Sequence, residues 1–60
     1  MIIKPGDLIE VTNKQFVKYC LVKKVKKRYH FLEIDIICNG KASVIVYDGN
    51  FYNIKVVARK

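Results

Sequence analysis

From Phe31 to Ile37 the chain alternates residue by residue, and this stretch constrains the fold more tightly than any other. Leu32, Ile34 and Ile36 fall on one side of an extended chain, while Phe31, Glu33 and Asp35 fall on the other, because successive side chains of a strand point to opposite faces. A half-buried strand follows, with the even positions facing a core. No segment carries the i, i+3, i+4, i+7 apolar spacing of an amphipathic helix over eleven or more residues without Gly or a strand-type alternation breaking it.

Turn chemistry divides the rest of the chain. Pro5-Gly6, Asn39-Gly40 and Asp48-Gly49 each precede an apolar or alternating run. The expected strands are Asp7 to Val11, Val17 to about Lys26, Phe31 to Ile37, the run after Gly40, and about Asn50 to Ala58. A polar loop covers Thr12 to Phe16. In the second strand Cys20, Val22 and Val25 lose period two at Lys23-Lys24, the sign of a bulge that bends a strand.

The turn at Asn39-Gly40 sets the register of the next strand. A two-residue turn would place Ile34 beside Ile45 and send Val44 and Val46 to the face of Glu33 and Asp35. A three-residue loop, Cys38 to Gly40, places Ile36, Ile34 and Leu32 opposite Ala42, Val44 and Val46, giving a continuous apolar face. A one-residue slip exchanges every side chain between faces, so the expectation is the three-residue loop. The same logic makes Tyr47-Asp48-Gly49 a second three-residue turn and carries the inner face through Tyr52, Ile54 and Val56. The bent sheet would then fold over itself, closed by the first strand. Residues 1 to 60 form a single domain in this reading, with residues 1 to 3 and 59 to 60 fraying.

Composition limits the function. A chain of 60 residues buries only about 60% of the surface it exposes when unfolded, which leaves no room for a deep active-site cleft. Hydrophobic residues make up 52%, led by Val and Ile, and this favours strands over disorder. The formal charge of +7 attracts anions, so nucleic acid and acidic protein surfaces are the expected partners. No apolar run approaches the roughly 20 residues of a membrane-spanning helix, and no signal segment opens the chain. The expected setting is cytoplasmic, or host cytoplasm if the protein is viral.

Cys20 and Cys38 are too few for a disulfide-rich scaffold. A turn centred on Tyr29 would set them opposite each other, within reach of a bond, but the expectation is reduced thiols that pack as small hydrophobes. With His30 they supply at most three metal ligands and no closely spaced pair, so no metal site or cofactor is expected. Ser43, the one serine, lies far from His30 in this register, and no phosphate-binding Gly-rich loop is present. Catalysis is therefore not expected.

The remaining signal is charge beside aromatic rings. Lys23, Lys24, Lys26, Lys27 and Arg28 cluster at the tip of the hairpin between the second and third strands, with Lys18 nearby and Tyr29, His30 and Phe31 following. Lysines neutralise phosphates while aromatic faces stack on unpaired bases. This reading makes Lys18, Lys23, Lys24, Lys26, Lys27, Arg28, Tyr29 and Phe31 the candidate nucleic-acid contacts. The alternative is a protein-contact patch of Phe31, Ile45, Tyr47 and Phe51 docking on an acidic surface of a host or viral enzyme.

The layout resembles the SH3-like small β-barrels, in particular the KOW and Tudor-like branch. KPGDLIEV matches their opening turn and first strand, CLVKKV their bent strand, and VIVYDGNFYNIKV their last hairpin, together spanning roughly residues 4 to 57. The Gly usual before the second strand of a KOW segment is replaced by Lys18, Tyr19 and Cys20. The acidic and aromatic signature of proline-peptide-binding SH3 domains is absent. The resemblance implies a five-stranded antiparallel barrel and a binding role of the kind found in transcription and translation factors or bacteriophage accessory proteins.

Overall fold

Five strands follow the turn signals in a computed structural model that describes residues 2–59. They are β1 (Leu8–Thr12), β2 (Val17–Lys27), β3 (Leu32–Cys38), β4 (Lys41–Tyr47) and β5 (Asn53–Ala58), with no helix among the described residues. All pair antiparallel in one sheet of order β4-β3-β2-β1-β5. The fold is all-β. Its strand order is consistent with an SH3-like barrel, although no ladder joins β4 to β5 among the described residues. No helix there is long and apolar enough to cross a membrane.

The Lys4-Pro5-Gly6-Asp7 turn launches β1. The Asp7 amide donates to the Lys4 carbonyl at 3.1 Å across a Gly6 held at φ 94°, the left-handed position that a Pro-Gly turn needs. Buried Asp7 fastens the turn from within: its Oδ2 accepts the Lys4 amide at 3.0 Å and lies 3.6 Å from Arg59 Nη1. Met1 and Lys60 lie outside the described residues. Ile3, expected to fray, is instead buried in the core.

One face of the sheet forms that core. Ile9, Val11, Cys20, Val22, Ile34, Ile36, Ile45 and Ile54 are buried there, and Leu32, Val25, Tyr47, Tyr52 and Val56 pack against them in part. The even positions of β3 and the Tyr52, Ile54, Val56 series of the last strand segment therefore face inward as the alternation predicts. The bulge also lies where period two breaks: Val22 pairs with Ile36 and Lys24 with Asp35, leaving Lys23 as the extra residue.

Two expectations are corrected. The β3–β4 turn has two residues, not three. Cys38 pairs with Lys41, Ile36 with Ser43 and Ile34 with Ile45. Asn39 (φ 53°) and Gly40 (φ 78°) are both left-handed, as the tight hairpin favoured by Asn-Gly requires. Turn chemistry overrides the apolar count: Ile45 enters the core, while Ala42, Val44 and Val46 are exposed on the opposite face. The second predicted hairpin does not form either. Asp48 Oδ1 accepts the Asn50 amide at 2.9 Å, a local side-chain turn beside a left-handed Gly49, and the chain then crosses to pair β5 with β1.

The third correction concerns the thiols. Cys20 and Cys38 are disulfide-bonded, with Cα atoms 4.6 Å apart. They continue the row after Leu21–Ile37, and 4.6 Å is the spacing of a directly opposed, non-hydrogen-bonded antiparallel pair.

Candidate nucleic-acid interface

The hairpin tip holds the predicted cations, but its charge is partly neutralised. Glu33 Oε2 accepts from Arg28 Nη2 at 3.0 Å and lies 3.8 Å from Lys26 Nζ. Lys24 stands directly across from Asp35. Among the described residues, Lys23 and Lys27 have no carboxylate within ion-pair distance. Tyr29 is 93% exposed and meets His30 edge-on, with ring centroids 4.3 Å apart. Lys27, Tyr29, Phe31 and Tyr47 border a shallow hollow that also includes Asp48.

The predicted protein-contact patch does not assemble. Ile45 is buried in the core, because the two-residue turn reverses the faces of β4. Phe31 and Tyr47 border the tip hollow, whereas Phe51, 75% exposed, lies in the β4–β5 crossing beside Asn13, Lys14 and Gln15.

A second site lies where the sheet stays open. Between the free edge of β4 and the loops before β2 and β5 is a cleft of about 490 Å³. The disulfide, Val11 and Ile36 line it, as do Phe16, Tyr52, Lys18, Lys41, Asn39 and Ser43, and no acidic residue does. The two rings are 6.1 Å apart and tilted by 43°, and Lys18 Nζ sits 4.8 Å from the centre of the Phe16 ring. Asn13 shapes this wall: its Oδ1 accepts the amides of Gln15 (2.7 Å) and Phe16 (3.1 Å), which turns Phe16 inward. Lys14 and Phe51 border a neighbouring hollow with Asn13, Asn50 and Asn53, again free of acids. Lys14, Lys18 and Lys41 have no carboxylate within ion-pair distance among the described residues.

Of the predicted contacts, only Lys18 belongs to this cleft. Lys14 and Phe16 of the β1–β2 loop, Lys41 at the start of β4 and Tyr52 before β5 carry no mark of this role in the sequence, and Phe51 is expected there only as part of a protein contact. Their convergence depends on β5 leaving β4 for β1, which no local pattern announces. On the outer sheet face, the Tyr19 hydroxyl donates to Glu10 Oε2 at 2.9 Å. That bond to a carboxylate, reinforced by its negative charge, raises the phenol's pKa. No family model, curated protein or solved structure matches the chain.

Proposed function

We propose that the domain is a non-enzymatic module that binds single-stranded nucleic acid in the cleft between the free edge of β4 and the loops that precede β2 and β5. The observation that carries this reading is the absence of any carboxylate from a cleft lined by Lys18, Lys41, Phe16 and Tyr52. Positive charge draws in a phosphate backbone, and rings set among it stack on bases that a duplex would keep hidden. Lys14 and exposed Phe51 extend the site along the neighbouring hollow. At the far end Lys23, Lys27 and Tyr29 offer a second, weaker contact to a long strand, since Glu33 engages two of the other tip cations. An SH3-like small-barrel relationship belongs to this proposal and is supported by the strand order. A cytoplasmic setting belongs to it as well; there the Cys20–Cys38 pair faces a reducing thiol pool.

Fluorescence anisotropy with a short labelled single strand tests the site. Binding at low salt should weaken at least tenfold in Lys18→Glu/Lys41→Glu. Phe51→Ala should weaken it several-fold, within the roughly 1–3 kcal/mol range of base stacking. A duplex of equal length should bind less tightly. Absence of binding at low salt, or wild-type affinity in the double variant, would end the proposal.

A further inference from the structure

Two segments that the backbone ladder leaves apart form facing walls of the cleft. The β2–β3 ladder runs from Lys27–Leu32 to Leu21–Ile37 and stops there among the described residues. Beyond that point Val17 to Cys20 pair with β1, while the β3–β4 hairpin continues to its Asn39-Gly40 turn. The Cys20–Cys38 disulfide joins the two segments where the ladder no longer does.

Each end of that bond carries a lysine of the cleft. Lys18 lies two residues before Cys20 on the same face of β2, and Lys41 is the strand partner of Cys38. All four residues line the cleft, with Phe16 on the β2 side and Ser43 on the hairpin side. The bond therefore fixes how far apart the two charges stand. A site held in its binding geometry beforehand has less freedom to lose when a ligand arrives, which raises affinity.

The bond is also within reach of a reductant. Cys20 is buried, but Cys38 is only partly so and borders the open cleft beside two exposed lysines and no carboxylate. That positive charge draws in a thiolate as it draws in any anion. We infer, given the binding role proposed above, that the Cys20–Cys38 bond is a redox gate: oxidised, it holds the cleft at binding width, and reduced by a dithiol, it releases the hairpin end. One thiolate of the dithiol attacks Cys38 Sγ, the S–S bond breaks and Cys20 leaves. The second thiol then attacks the mixed disulfide and frees Cys38. Two electrons and two protons pass from the dithiol to the cysteines, and the dithiol ends as a disulfide. The ladder that stops at Leu21–Ile37 then no longer fixes the spacing of Lys18 and Lys41.

Anisotropy with the labelled single strand at low salt, on protein prepared without reductant and again after dithiothreitol, reads the gate. Reduction should weaken binding about tenfold, and reoxidation should restore it. Cys20→Ala/Cys38→Ala should bind as weakly as the reduced protein and should not respond to the reductant. Amide hydrogen exchange followed by NMR locates the change: on reduction, residues 17–20 and 38–42 should exchange faster, while Ile9, Val11 and Ile34 of the core stay protected in a domain that remains folded. Equal affinity in the two redox states overturns the gate and leaves the binding role standing. A reduced chain that loses protection throughout overturns it too, because the bond then holds the whole fold rather than the cleft. Binding by neither form removes the role proposed for the cleft, and the gate with it.

Discussion

Tyr19 and Glu10 face each other across β1 and β2, and their 2.9 Å hydrogen bond makes a local titration measurable. A phenol that donates to a carboxylate loses that bond, and gains a repulsion, when it ionises. Its pKa is accordingly raised above the ordinary value of about 10. Folding raises this pKa, so the contribution to stability is complete below the unfolded phenol's pKa and is lost as pH rises through the folded one. Glu10→Gln removes the charge while keeping an acceptor. Followed at the Tyr19 ring by NMR, the titration of this phenol should move to lower pH in the variant. An unchanged curve would show that Glu10 does not hold the proton.

At the scale of elements, β2 and β3 are joined twice, by their ladder and by the disulfide. The bond closes a chain separation of 18 residues, and in the loop-entropy account this stabilises the fold by about 3 kcal/mol. Urea melts with and without reductant should differ by that amount in unfolding free energy, with the slope m rising on reduction because the unfolded chain is then free to expand. Two free thiols in the native protein, or coincident melts, would contradict the cross-link. The sequence made much of this hairpin legible. The alternation of Leu32, Ile34 and Ile36 identified the inward face of β3, and the broken period at Lys23-Lys24 located the bulge. A count of apolar residues sets β4 in the wrong direction, because Ala42, Val44 and Val46 outweigh Ile45 in it. Asn39 and Gly40, both free to adopt positive φ, decide the turn instead. Those three residues are left exposed. A sheet that is apolar on both faces breaks the assumption on which the count rested. The β1–β5 pairing was legible only as a first strand that closes the sheet, because a crossover between distant segments leaves no periodic mark.

For the whole molecule, the charge of +7 is unevenly distributed. On the outer face Glu10, Glu33 and Asp35 each stand across from a lysine, with Arg28 a second cation on Glu33, whereas Lys14, Lys18 and Lys41 have no carboxylate within ion-pair distance among the described residues. Net charge alone attracts any polyanion weakly, but a local excess beside stackable rings fixes where the strand lies. Releasing counterions from a single strand lowers log K by about 0.7 per phosphate neutralised for each tenfold rise in salt. Three lysines should therefore give a slope near −2 for an oligonucleotide short enough to occupy one end of the domain. Lys18→Ala or Lys41→Ala should each flatten that slope by about 0.7, while Lys26→Ala, which removes a cation already paired with Glu33, should leave it unchanged. A slope that responds to Lys26 and not to Lys18 would move the binding site from the open seam of the sheet to the hairpin tip.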